Sequence, residues 1–140
     1  ELLETTLVLI KPEGVARGLV GEIISRFERK GYELVGLKLL RLTQEKAEEL
    51  YGEHRGKPFY PELIGHMTSG KVVAMVWRGP GAISGARKII GPTDPREAPP
   101  GTIRGDLALE VGANLVHGSD SLASAQREIS IFFQKGEMEG

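Results

Sequence analysis

The chain has 140 residues, 40% of them hydrophobic, which suits one compact domain over residues 1–140 with a core of its own. With 18 Lys and Arg against 19 Asp and Glu and a pI of about 6.4, it lacks the basic excess of a protein whose partner is a polyanion, so nucleic acid is not the expected ligand. Cysteine is absent, which excludes disulfides, thiol catalysis and thiolate-held zinc.

In chain order, the opening Glu1-Leu2-Leu3-Glu4 has neither the basic start nor the apolar run of a secretory leader. Thr5 to Ile10 is an apolar run stopped by Lys11-Pro12, the pattern of a buried strand. Leu19, Val20, Ile23, Ile24 and Phe27 recur at helical spacing, and Gly31 stands where that helix ends. From Val35 to Leu39 apolar residues alternate with Gly36 and Lys38, which predicts a half-buried strand. Thr43 caps a short helix whose inner face carries Ala47, Leu50 and Tyr51. Pro61 suits the first turn of a further helix running to about Ser69. Val72 to Trp77, the longest apolar run, is the third strand and is far too short to span a bilayer. Pro80 begins the next helix. The segment from Gly91 to Gly101 holds four prolines and no apolar period, so it is a long loop, and loops of that length in small domains are usually functional or interfacial. Leu115-Val116 form a short fourth strand, and Leu122, Ala125, Ile129 and Phe132 mark the face of a last helix. The order β-α-β, helical insert, β-α-β suits an α+β sandwich with helices packed on a small sheet. The expectation is a soluble, cytoplasmic protein without membrane contact.

Three motifs are decoys. Gly65 to Val72 nearly spells a phosphate-binding P-loop, but Val72 stands where a hydroxyl must hold magnesium, and the segment runs from helix to strand instead of strand to helix. Gly79 to Ser84 faintly resembles a dinucleotide-binding turn, yet Ser84 replaces the third glycine and no run of parallel βαβ units surrounds it. His54 and His66 have neither cysteine partners nor metal-ligand spacing.

The segment Asn114-Leu115-Val116-His117-Gly118-Ser119-Asp120 carries the chemistry. It sets a histidine between a strand-like run and a turn that opens a helix, whose free N–H groups favour anions. A neutral imidazole is a nucleophile near pH 7. A lone histidine is more often a satisfied surface residue, and most Lys and Arg are merely solvated. Phosphoryl transfer, however, needs cations around the oxygens and an in-line nucleophile. Lys11 at a strand end, Arg87 on the helix after the third strand and Arg104 after the proline-rich loop would supply the cations for His117.

Four stretches in order, Leu9 to Gly14, His54 to Tyr60, Pro99 to Asp106 and Asn114 to Asp120, make the chain resemble the nucleoside diphosphate kinase family along nearly its whole length. The resemblance implies a ferredoxin-like α+β sandwich with a four-stranded antiparallel sheet, and a ping-pong exchange between nucleoside triphosphates and diphosphates through phosphohistidine at His117. Matched position by position, it assigns Lys11 and Asn114 to the sugar 3′-hydroxyl, with Lys11 also near the γ-phosphate. It assigns His54, Arg87, Thr93 and Arg104 to the phosphates. Phe59 would stack on the base with Leu63 and Val111 beside it, and stacking without base-edge contacts suits every base. Tyr51 would stand beside His117, and Glu128, supported by Ser119, would orient the imidazole. The implied cofactor is Mg2+, held mainly by nucleotide phosphates and water. The implied assembly is a homo-oligomer, a hexamer in preference to a tetramer, with the loop around Pro95 at subunit contacts. Ala113, the Phe132-Phe133-Gln134-Lys135 region and the short Gly-rich tail depart from the family pattern, which bears on assembly and on no chemical residue. Two other readings are a catalytically silent nucleotide- or nucleic-acid-binding regulator and a histidine phosphocarrier fed by a protein partner. Intact His117, Lys11, Arg104 and Glu128 disfavour the first, and the second leaves Phe59, Leu63 and Val111 without a purpose.

Overall fold

The two longest apolar runs become the two central strands of a four-stranded antiparallel sheet, ordered β2 (Glu33–Arg41), β3 (Lys71–Pro80), β1 (Leu3–Ile10) and β4 (Val116–Gly118). The computed structural model describes residues 2–139. Strand β1 (Leu3–Ile10) pairs along its full length with β3 (Lys71–Pro80). Leu7 and Leu9 face one core, Val8 and Ile10 the other, so both sides of β1 are dry and the run reads as continuously apolar. One face is covered by α2 (Val20–Lys30), α5 (Ala82–Ile90) and α6 (Ile103–Leu107). The other is covered by α3 (Gln44–Leu50), α4 (Tyr60–Met67) and α7 (Leu122–Phe132). This is the ferredoxin-like sandwich, with α3 and α4 as the helical insert.

Local signals behave as their chemistry requires. Gly31 caps α2 at φ 109°, where a side chain would be strained. Thr43 accepts the Lys46 N–H at the start of α3. Among the described residues no helix is long and apolar enough to cross a membrane.

Several boundaries differ from the sequence reading. Lys11-Pro12 ends β1, but Pro12 also opens a short helix, α1 (Pro12–Ala16), since proline's missing N–H is no loss in a first turn. Pro80 closes β3 instead of opening α5, and Gly81, at φ 58°, makes the turn. The proline-rich loop contains a 3-10 turn at Pro95–Glu97, capped by Asp94, and leads into α6, capped by Thr102. Strand β2 (Glu33–Arg41) inverts the expected alternation: a register shift between Leu34 and Gly36 turns Gly36 and Lys38 inward and leaves Leu37 52% and Leu39 62% exposed. Strand β4 is Val116–Gly118, one residue later than expected, because Leu115 lies at φ 74° and is outside the strand. Leu122, assigned to the inner face of α7, is 55% exposed, while Ala125 and Phe132 are buried.

Candidate active site

Leu9 and His117 are directly opposite in the β1–β4 pair, so both side chains leave the face covered by α3, α4 and α7. There the imidazole meets α7. Nε2 of His117 lies 2.8 Å from Oε1 of Glu128. An ionised carboxylate only accepts, so the proton belongs on Nε2 and the lone pair on Nδ1. Ser119 Oγ donates to the same Glu128 oxygen at 2.8 Å, and Arg127 Nη2 stands 3.6 Å from the other. Glu128 is 2% exposed, and these partners are what make a carboxylate tolerable there. Tyr51 meets the imidazole edge-on, with ring centroids 5.8 Å apart. Burial, with the Glu128 charge adding to it, raises the Tyr51 pKa, and its buried hydroxyl has no partner.

Cations line the same cleft. Lys11 Nζ donates to Asn114 Oδ1 at 2.7 Å, and burial pushes its pKa down to about 8. Arg104 is buried and spends three N–H bonds on the carbonyls of Asn114, Gly91 and Val116. Two of the five guanidinium protons are left. Burial, and then the neighbouring Arg87, lowers the Arg104 pKa to about 10. Arg87 Nη1 donates to the Gly118 carbonyl at 3.0 Å. Gly118 packs closely: a Cβ there would sit 2.7 Å from Ile90 Cδ1, so the Ile90 side chain would have to shift.

These groups open on one cleft of about 680 Å³. Every residue singled out from the sequence lines it except Ser119, which lies behind Glu128. Phe59 stands at the rim, 48% exposed, with His54 5.3 Å away by ring centroids. Leu63 and Val111 also line the cleft, and Thr93 is tied to Asn114 through its carbonyl. Glu53, Glu62, His66, Gly112, Gly118 and Asp120 also line the cleft and were not singled out. Asp120 lay within the His-Gly-Ser-Asp stretch, and a hydrogen bond from Ser124 holds its pKa down, so it is ionised. Glu13, likewise inside a quoted stretch, contacts both His66 and the Leu115 N–H, which only the fold reveals. No group of three His, Asp or Glu that could hold a metal occurs among the described residues.

The comparisons with known proteins agree with one another. The family model described as nucleoside diphosphate kinase matches residues 4–138. A nucleoside diphosphate kinase of Staphylothermus marinus is 63% identical over 135 residues, 96% of each chain. One from Thermosynechococcus vestitus is 60% identical over 136 residues, 97% of this chain and 91% of the relative. Among solved structures, a halophilic nucleoside diphosphate kinase from Halobacterium salinarum in complex with CDP superposes with a TM-score of 0.96 at 47% identity, covering 98% of this chain and 91% of that one. The Aquifex aeolicus nucleoside diphosphate kinase gives 0.95 at 44% identity, covering 98% and 99%.

Proposed function

The chain belongs to the nucleoside diphosphate kinase family and is a phosphotransferase of that kind, and from this premise we propose that residues 1–140 act as one domain with His117 as the covalent nucleophile. The observation that carries the assignment is the 2.8 Å bond from His117 Nε2 to Glu128, which leaves the Nδ1 lone pair for a cleft lined by cations. Nδ1 attacks the γ-phosphorus of a nucleoside triphosphate. The N–P bond forms, the bond to the β–γ bridging oxygen breaks, and the diphosphate departs. A second diphosphate then takes the phosphoryl group by the reverse step. Glu128 offsets the positive charge that the ring gains when Nδ1 is phosphorylated.

Lys11, Arg87, Arg104, His54 and Thr93 receive the phosphates, and the Tyr51 hydroxyl is the spare donor beside His117. Lys11 and Asn114 receive the sugar 3′-hydroxyl. Phe59, with Leu63 and Val111, offers the base an apolar face without edge-reading groups, which suits broad base tolerance. Magnesium would enter as a passenger of the nucleotide, held mainly by phosphates and water, with the Asp120 carboxylate as the nearby negative charge of the cleft. When bound, it neutralises phosphate charge. The working place is the cytoplasm, with neither membrane nor nucleic acid as partner. The active unit is a homo-oligomer, hexamer in preference to tetramer; the exposed Leu37 and Leu39 on edge strand β2 and the long loop to Gly101 support association.

The test is direct. Incubated with labelled ATP, the protein should take up acid-labile label and pass it to added GDP, while His117→Ala should take up none yet still bind nucleotide. Acid-labile phosphate on His117→Ala would remove the assignment.

A further inference from the structure

Among the described residues, Leu115 is the one non-glycine at positive φ, 74°. The Val116 N–H donates to the Asn114 carbonyl at 2.9 Å, closing a three-residue turn around it. A γ-turn of this hand is rare and strained, and it persists only where its surroundings hold it. The holding groups can be named. Glu13, in the first turn of α1, accepts the Leu115 N–H on Oε2 at 3.0 Å. The Lys11 N–H donates to the Leu115 carbonyl at 2.8 Å, and the Leu115 side chain is buried in the core shared with α2 and α5. The other Glu13 oxygen, Oε1, lies 2.6 Å from Nε2 of His66 in the last turn of α4. One carboxylate thus ties α1, α4 and the strained turn together, and the mechanism above uses neither Glu13 nor His66.

What the turn sets is the side chain just before it. Asn114 Oδ1 accepts from Lys11 Nζ at 2.7 Å, its Nδ2 donates to the Thr93 carbonyl at 3.1 Å, and its own carbonyl accepts from Arg104 at 3.1 Å. Three binding groups converge on a residue whose following peptide is locked by Glu13. Released from Glu13, that peptide is free to relax toward an unstrained conformation and carry the Asn114 carboxamide off Lys11. We infer that Glu13, steadied by His66, is a positioning residue for the sugar end of the substrate. It keeps the Lys11–Asn114 pair where the 3′-hydroxyl is received, an inference that rests on the residue assignments proposed above. The Glu13 charge also favours the protonated form of Lys11, so the carboxylate serves the pair electrostatically as well as sterically.

The full chain is tested as Glu13→Ala, Glu13→Gln, His66→Phe and Asn114→Ala, with two readouts. The first is hydrogen exchange at the Leu115 amide, which needs no activity. Exchange should quicken by about tenfold or more in Glu13→Ala and stay near wild type in Glu13→Gln, which retains an acceptor. The second is kcat/KM for phosphoryl transfer to a nucleoside diphosphate and to its 3′-deoxy analogue. Glu13→Ala should lose about ten- to a hundredfold with the hydroxylated acceptor, the range of a lost charge-assisted bond, and only about threefold with the deoxy one. His66→Phe should fall between Glu13→Ala and wild type. Glu13→Ala combined with Asn114→Ala should be no slower than Asn114→Ala alone. Equal losses on both acceptors, losses that multiply with Asn114→Ala, or unchanged Leu115 exchange would overturn the inference. Failure of the wild type to take up acid-labile phosphate would strike the functional reading instead, and the exchange readout would still decide the role of Glu13.

Discussion

Replacing Glu128 separates the two services it gives His117. In the resting site one carboxylate oxygen accepts from both His117 Nε2 and Ser119 Oγ, each at 2.8 Å, in surroundings that leave Glu128 only 2% exposed. A hydrogen bond to a charged group is worth about 1.5–3 kcal/mol. At 1.36 kcal/mol per decade that is roughly ten- to 150-fold in rate, if the bond is needed to hold the ring. The second service is charge. Phosphorylating Nδ1 while Nε2 keeps its proton leaves about one positive charge near the carboxylate, and at about 4 Å and an effective dielectric of about 20 the attraction is at most ~4 kcal/mol. Glu128→Gln keeps an acceptor for Nε2 and removes the charge, so phosphoenzyme formation should slow by about ten- to a hundredfold. Glu128→Ala removes both, for a loss of about a hundred- to ten-thousandfold. Ser119→Ala deletes only one supporting bond and should cost about fivefold. The assay is rapid-quench measurement of phosphohistidine formation from labelled ATP in a single turnover, quenched in base to preserve the N–P bond. Ordered losses, Ala beyond Gln beyond Ser119→Ala, are expected. A Glu128→Ala enzyme that is phosphorylated at nearly the wild-type rate refutes the reasoning.

Three further outcomes follow from the same site. Phe59→Ala should weaken purine and pyrimidine nucleotides alike, by about 1–3 kcal/mol, as read by calorimetric titration, and a loss confined to one base would indicate edge recognition. Lys11 should make activity and stability diverge above pH 8: its pKa is near 8 folded against the ordinary 10.5, so the unfolded chain binds more protons in that window and stability rises with pH, by ~3 kcal/mol at most. Over the same window kcat/KM should fall as Lys11 loses its charge, and Lys11→Met should remove both trends from parallel melting and rate profiles. Pro95→Ser should lower the melting temperature and loosen assembly before it touches chemistry, because Pro95 is buried at the start of its 3-10 turn and proline restricts the unfolded chain, by about 0.4–1 kcal/mol. Light scattering that finds an active monomer at low micromolar concentration would sink the oligomer assignment.

The parts of the fold that were legible in the sequence are those in which one local rule decides the outcome. The double-sided burial of β1 and β3 reads as unbroken apolar runs, Thr43 and Gly31 bracket helices by capping chemistry, and the quoted motif stretches carry Lys11, His54, Phe59, Arg104, Asn114 and His117 of the cleft. What failed depended on longer-range geometry. The inversion of β2 follows from one register shift at Leu34/Gly36, invisible to a period-two count. Helix α6 is five residues long and carries too little apolar period to announce itself, since Thr102 capping and the Arg104 bonds hold it. Glu13 and His66 are 53 positions apart, so their pairing has no sequence signal at all.

Strand β4 spans just three residues, yet its register against β1 decides on which side of the sheet His117 stands. A slip of one residue would turn the imidazole toward α2 and α5, away from Glu128 and Tyr51. So short a strand cannot specify register by its own ladder, and the structure pins it from both ends. Upstream, the Leu115 carbonyl takes the Lys11 N–H and the Leu115 N–H is fixed on Glu13. Downstream, the Ser119 N–H bonds the Leu7 carbonyl, and Gly118 packs so close to Ile90 that a larger residue would push the Ile90 side chain aside. The strained turn, the glycine and the serine together hold the register that sets Nε2 of His117 against Glu128.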